Sequence, residues 1–362
     1  MITVLIVIGI LVLLIVAHEL GHFFAAKLFK VKVEEFGVGY PPRAFTFGFW
    51  GDTEYTINWI PFGGFVRLFG DEPGQRGKGS FRDAPRSVQA IILVAGVTAN
   101  AIMAWFLFAT ALHIGIPRVA TPDDNPANVR LLVSDIVPGS PASAAGIAAG
   151  DSVLALSDMK DAHPANLTPQ AVTDFVKDRG GKSLSITFSH LGKHITAAIT
   201  PAHGVIAGSV DRPALGIALV SVTDQSQPWI PSFIGAFTST RDAFKQIAVG
   251  LWAIFGNLFH GGSALQDVVG PVGLVGVVGE AAQNGAGNVL ALAAFISVNL
   301  AIVNLLPIPA LDGGRLLLIA VEALMRKNAP KLAVQLLNTA GIALIIFLMV
   351  TVTYHDIARL FA

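Results

Sequence analysis

The sequence contains no cysteine among its 362 residues. That excludes disulfides and thiolate metal sites, so any bound metal must be held by histidine and carboxylate. Charge is almost as scarce. Asp, Glu, Lys and Arg make up 13% of the chain, against about 25% in soluble domains. Formal net charge is zero, which leaves no polybasic case for nucleic acid or anionic lipid. What is present is apolar: 53% hydrophobic residues, with a mean hydropathy of +0.65. This is the composition of an integral membrane protein with at least one water-exposed part.

Four runs are apolar enough to cross a bilayer, which takes about 20 residues: 1–28, 88–114, 287–307 and 332–354. The first opens with MITVLIVIGILVLLIVA, without one charge. It has neither a basic leader nor a small-residue cleavage pattern, so it reads as a retained span. Lys27, Lys30, Lys32, Arg43, Arg67, Arg76, Lys78, Arg82 and Arg86 follow it, and Arg315, Arg326, Lys327 and Lys331 lie between the third and fourth runs. Basic loops stay on the cytoplasmic side. Both chain ends and segment 115–286 are therefore expected outside, in a bacterial inner membrane. The expected organisation is a first membrane half, 1–114, a soluble domain, 115–203, a connecting segment, 204–286, and a second membrane half, 287–362.

Segment 31–70 reads as short strands in VKVEEFGVGY, AFTFGFWGDTEYTINWI and GGFVRLFG, punctuated by Gly and Pro. Its aromatic density suits the membrane interface. A hairpin dipping beside the first span and a β-loop lying on the headgroups both fit the residues. At membrane depth its edges would have to be covered by protein or line a wet cavity. Segment 115–203 carries strand, small-residue turn, Ala-rich helix, strand, amphipathic helix (TPQAVTDFVKDRG) and two strands joined at Leu191-Gly192-Lys193. With VPGSPASAAGIAAGD at 137–151, this order resembles a circularly permuted bacterial PDZ domain, an α+β fold. Beyond it, LGIALV at 215–220 is a candidate closing strand. Residues 231–259 form an amphipathic helix suited to the outer interface, and the Gly-rich GPVGLVGVVGE at 270–280 is expected as a loop or re-entrant segment.

The chemistry begins at His18-Glu19-Leu20-Gly21-His22. H-E-x-x-H on a helix puts two imidazoles on one face, where both can bind one Zn²⁺, with the Glu placed as general base. Uncompensated ionisable residues are costly on an apolar helix, which favours a bound metal. A catalytic zinc normally has three protein ligands, so one is missing. NLLPIPALDGGR at 304–315 supplies Asp312, at the inner end of the third span and at similar depth to the histidines. Pro307 and Pro309 break the helix before it, and Gly313-Gly314 allow a sharp turn after it. Asn299, inside the third span, fits either an interhelical hydrogen bond or a contact to substrate. Asn100 admits the same two readings and leans toward packing. The other histidines, at 113, 163, 190, 194, 203, 260 and 355, fit no ligand spacing and read as surface or loop residues.

Together HELGH, GGFVRL, the PDZ-like segment between the second and third spans, and NLLPIPALDGG resemble the site-2 protease family of intramembrane zinc metalloproteases. The resemblance covers nearly the whole chain, and the nearest group is that of the regulator of sigma-E protease. It implies four transmembrane helices, a membrane-associated β-loop and an inserted PDZ domain. It implies one Zn²⁺ held by His18, His22 and Asp312, with Glu19 as catalytic base. It implies that Asn299, Pro307 and Pro309, with Gly63, Gly64 and Phe65 of the β-loop, shape substrate binding. Two features depart from the pattern. There is one PDZ-like segment rather than two in tandem, and A-G-V-T-A-N in the second span replaces A-G-P-x-x-N.

The implied activity is proteolysis within the membrane-spanning segments of single-pass proteins, such as anti-sigma factors or signal-peptide remnants. The PDZ domain would filter or contact the substrate, and nucleic acid is not an expected partner. The competing reading is a catalytically inactive, zinc-containing PDZ scaffold, against which an intact Glu19 argues. A metal transporter would want several intramembrane acids or histidines, and the second and fourth spans have no Asp or Glu in their apolar stretches.

Overall fold

The computed structural model describes residues 2–71, 75–121, 123–190, 193–206, 212–259, 270–327 and 329–361. These form two compact units: residues 1–113, 228–282 and 289–362 make one, and residues 114–227 with 283–288 make the other. In the first, α1 (Ile2–Leu28) and α2 (Arg86–Ile114) flank a β-structure of β1 (Val33–Trp50) and β2 (Thr53–Leu68). Helix α1 satisfies its backbone internally, the requirement for an apolar span. Gly21 lets α2 approach closely: a Cβ there would stand 2.3 Å from the Ala95 carbonyl oxygen. Small residues at such a crossing are how membrane helices pack.

The β-structure differs from the short strands expected at 31–70, because the backbone stays extended through Pro41-Pro42 and Pro61. Proline is tolerated at bulges, and β1 bulges there. Tyr40 faces Ile60 and Arg43 faces Asn58, three steps on one strand against two on the other. Strand β2 folds so that both its halves flank the start of β1: Phe36 faces both Val66 and Tyr55, and Gly37 both Phe65 and Thr56. Glu35 locks this arrangement. Only 3% exposed, it accepts from Thr56 Oγ1 at 2.7 Å and pairs with Arg67 at 2.5 Å and Arg43 at 3.0 Å. Two guanidiniums compensate a carboxylate that could not be buried alone.

The second unit is one antiparallel sheet with two short helices. Its elements are β3 (Ile116–Val119), β4 (Val129–Ile136), α3 (Pro141–Ala144), β5 (Ser152–Asp158), α4 (Pro169–Lys177), β6 (Leu184–His190), β7 (Lys193–Ile199) and β8 (Ile217–Gln225). The spatial order is β3-β8-β4-β5-β6-β7. The boundary expected at residue 203 therefore moves to about Gln227, because the segment read as a closing strand begins β8, which pairs with β4 over Ile217–Thr223 and with β3 over Val222–Gln225. Leu131, Val133, Leu156, Leu184, Ile186 and Phe188 are the buried centre. Ser140 and Thr168 cap α3 and α4, each with proline at the helix start. His190 is no plain surface residue: its Nδ1 lies 2.9 Å from the buried Asp151 carboxylate. The Leu191-Gly192 part of the expected turn lies outside the described residues, as does His260. The amide of Lys160, then that of Ala162 and the Arg179 guanidinium, overcome partial burial and hold the Asp158 carboxyl below its usual range.

The chain then returns to the first unit through α5 (Trp229–Phe259), α6 (Pro271–Gln283), α7 (Ala286–Leu305), α8 (Asp312–Met325) and α9 (Lys331–Phe361). Among the described residues, four helices are long and apolar enough to cross a membrane: α1, α2, α7 and Leu332–Ala358 of α9. Leu14, Ala104, Val278 and Val298 form the core that α1, α2, α6 and α7 share. His113 stacks on Trp229 with ring centroids 4.0 Å apart, so it too is a packed residue. The Gly-rich stretch at 270–280 is a helix, not a loop. The amides of Gly270 and Gly273 donate to the buried Asp356 carboxylate of α9, at 3.1 and 2.8 Å. That supplies the helix start with an acceptor for its first amides.

Two stability outcomes follow. Phe188→Ala, removing a side chain with no exposed surface, is expected to destabilise the sheet unit by about 3–5 kcal/mol, read as faster amide exchange across β5 and β6 in the full chain. Gly21→Leu is expected to force α1 from α2 and lower the thermal aggregation temperature of detergent-solubilised protein, while the milder Gly9→Leu, where a Cβ meets nothing within 4 Å, leaves it near the parent's.

Candidate metal centre and active site

Helical spacing carries His18 and His22 to the same face of α1, toward α2. Their Nε2 atoms are 3.1 Å apart. Asp312 Oδ2 lies 3.0 Å from His18 Nε2 and 3.2 Å from His22 Nε2. Three donor atoms thus meet at one point in a buried setting. Two neutral imidazoles facing each other nitrogen to nitrogen, with a carboxylate between, make poor neighbours unless a cation is shared. Tetrahedral Zn²⁺ with ligands at 2.0–2.1 Å places its donors about 3.3 Å apart. The observed triangle is close to that, and imidazole with carboxylate is a zinc donor set.

Delivery of Asp312 differs from the sequence reading. It does not close the third span; it opens a new helix, α8, seven residues after α7 ends at Leu305. Gly313 and Gly314 are not a turn. They are the first residues inside α8, where a Cβ would come within 2.2 Å of the Leu306 and Ile308 carbonyl oxygens respectively. The turn itself falls at Ala310, with φ of 73°. Glycine lets α8 fold tightly back on the 305–309 backbone, and this close packing aims Asp312 at α1.

Glu19 follows His18 directly and meets β2. A Cβ on Gly64 would lie 3.2 Å from Glu19 Cγ, and the Val66 amide is directed at the Glu19 carboxylate. The structure therefore brings Gly64 of GGF against the acid of HELGH. Gly63 is buried beside it, and the Phe65 ring covers Gly37. Pro307 and Pro309 line a cavity of about 590 Å³ with Asp71, Gly314 and Arg315. Asp71 accepts a hydrogen bond from Arg315, tying the end of the β-structure to α8. Asn299 is exposed on α7 and makes no interhelical hydrogen bond among the described residues.

Residues that the motifs do not name complete the site. His22 Nδ1 is 2.8 Å from the Ile92 carbonyl oxygen, so the ring donates its proton there and turns Nε2 toward Asp312. Gly96, one turn further along α2, must be glycine: a Cβ would stand 2.4 Å from His22 Nε2 and 2.7 Å from His18 Cε1. The signal available in sequence is the fourfold step from 92 to 96 to 100, matching the fourfold step from 18 to 22.

Comparison with known proteins gives the family. The profile of peptidase family M50 matches residues 6–348. The chain is 32% identical over 345 residues to a Clostridium perfringens protein named "Putative zinc metalloprotease", covering 95% of both. It is 27% identical over 431 residues to zinc metalloprotease RasP of Geobacillus kaustophilus, covering 96% of both. It is 29% identical over 364 residues to the chloroplastic membrane metalloprotease ARASP of Arabidopsis thaliana, covering 96% of this chain and 76% of that one. With a match over most of its length and a buried His-His-Asp cluster on an apolar helix, the chain belongs to peptidase family M50, the site-2 proteases, and is a multi-pass membrane zinc metalloprotease.

Proposed function

We propose that the protein cleaves peptide bonds within or near the transmembrane helices of single-pass membrane proteins. Anti-sigma factors and signal-peptide remnants are the substrate classes we expect. The observation that carries the reading is the meeting of Glu19 with Gly64: the general base of a metalloprotease touches a strand. A helical backbone in lipid is fully hydrogen-bonded, so its carbonyls are shielded. Pairing an unwound substrate along the β-structure beside Glu19 replaces the lost hydrogen bonds and exposes one carbonyl, by strand addition.

In this reading His18, His22 and Asp312 hold the metal and Glu19 does the proton work. Zinc held there would supply a water with its pKa lowered to about 7 and would polarise the scissile carbonyl. Glu19 takes the water proton and passes it to the leaving amine. The Ile92 carbonyl and the glycine at 96 keep both imidazoles in place while this happens. Asn299, Pro307 and Pro309 contribute to holding the substrate.

The sheet unit reads best as a PDZ domain that filters or contacts substrates. Strand β3 pairs with β8 only over Val222–Gln225, and among the described residues no strand pairs with Ile217–Val220 on that edge. Such an edge admits an added peptide strand. We place the chain in a bacterial inner membrane, with both ends and the sheet unit outside and the metal toward the cytoplasm, from the Lys and Arg distribution.

Glu19→Gln is expected to cut cleavage of a single-pass substrate by about 10²–10⁴-fold while the purified protein keeps its zinc. Cleavage at the parental rate by this variant would sink the mechanism. Failure of the active parent to cut any membrane-spanning substrate in vesicles, while cutting soluble peptides, would sink the substrate class.

A further inference from the structure

We propose that Asn100 is a positioning residue for the zinc ligand His18. In this assignment its side-chain oxygen accepts the Nδ1 proton of His18 and holds that ring in the one tautomer whose Nε2 faces the metal. The inference rests on the proposed ligand set and extends it to α2.

Asn100 has no exposed surface. One face of its amide lies against His18, with Nδ2 3.3 Å from His18 Nδ1. In that orientation Oδ1 is buried without a hydrogen-bond partner. A ligand that uses Nε2 must carry its proton on Nδ1. An amide nitrogen facing that N–H would set two donors against each other. Turning the amide by half a rotation exchanges the two atoms at almost no steric cost, and hydrogen bonding alone decides between them. Oδ1 then accepts from Nδ1. In either orientation one end of the amide stays unmatched, and an unmatched buried polar group costs about 1–3 kcal/mol. Packing alone would be better served by leucine, so the amide is there for the ring.

The neighbouring ligand shows the same device. His22 donates Nδ1–H to the Ile92 carbonyl at 2.8 Å. Ile92, Gly96 and Asn100 follow one another at four-residue steps on one face of α2. That face serves His22 with an acceptor, gives both rings clearance, and serves His18 with an acceptor. The position of Asn100 is fixed independently: Ser297 Oγ on α7 donates to its main-chain oxygen at 2.8 Å. Carbonyl or carboxylate partners on the second nitrogen are the usual support of zinc-bound histidine, and losing one typically costs 10–100-fold in metal affinity.

The test is zinc affinity of the full-length, detergent-solubilised chain by chelator competition, for the parent, Asn100→Leu, Asn100→Asp and His18→Ala. Asn100→Leu should weaken zinc by about 10–100-fold. Asn100→Asp presents an acceptor oxygen in both orientations and should keep binding in the parental range, whereas a role in packing alone would leave Asn100→Leu in that range as well. Parental affinity in folded Asn100→Leu, or Asn100→Asp as weak as that variant, overturns the proposal. If Asn100→Leu does not fold, Asn100→Asp decides alone: binding in the parental range supports the proposal, and a 10-fold or greater loss overturns it. His18→Ala separates the two readings, because unchanged zinc binding there overturns the ligand set itself rather than the role of Asn100.

Discussion

Three ionisable side chains converge on one point inside an apolar bundle, and the rest of the membrane unit is arranged around making that affordable. A carboxylate and two imidazoles at separations of 3.0–3.2 Å could not be tolerated in lipid without a shared cation. Once they share one, each must be held against relaxing away from it. Helix α1 fixes two by its own periodicity. The third comes from 290 positions further along and has to be aimed. The tight reversal at Ala310 and the glycines that let α8 lie on the 305–309 backbone aim it. Helix α2 completes the enclosure, close enough that Gly21 and Gly96 cannot carry a side chain. The close helix packing is therefore a condition of the chemistry as much as of the fold.

Local spacing made part of this legible in the sequence. H-E-x-x-H encodes its own geometry, because four residues on a helix is one turn, and the apolar context says that the helix lies in lipid. Asp312 could be sought because a catalytic zinc needs a third ligand and charge asymmetry set the depth. Its delivery could not be read. Pro307, Pro309 and the double glycine look like a break followed by a turn, whereas the break is followed at once by a second helix whose start is Asp312. Nothing local distinguishes a glycine that bends the chain from one that admits a neighbouring carbonyl.

Long-range partners explain the other differences. The Gly-rich stretch at 270–280 has weak helix propensity, yet its first amides find an acceptor in Asp356, more than 80 residues away. The segment at 215–220 was set beyond the soluble domain because its partner, β4, lies more than 80 residues earlier. Asn100 read as packing because its relation to His18 exists only once α1 and α2 have crossed. In each case the deciding contact is non-local, and periodicity does not report such contacts.

The β-structure states the problem that the proposed activity has to solve. Phe45, Phe47, Phe49, Trp50 and Trp59 are 58%, 68%, 73%, 82% and 72% exposed. At about 25 cal/mol per Å² of apolar surface, leaving five aromatic rings in water would forfeit several kcal/mol. That expense is avoided if the hairpin tip lies among acyl chains or against a substrate. Its base is the opposite: Glu35 is buried and matched by two arginines, and Gly64 lies against Glu19. One hairpin thus has a polar, rigid end fixed beside Glu19 and an apolar end suited to lipid. In the proposed activity a strand of this kind would meet a transmembrane helix within its own solvent and lead the unwound backbone toward the metal, whereas another helix would have no free backbone groups to offer it.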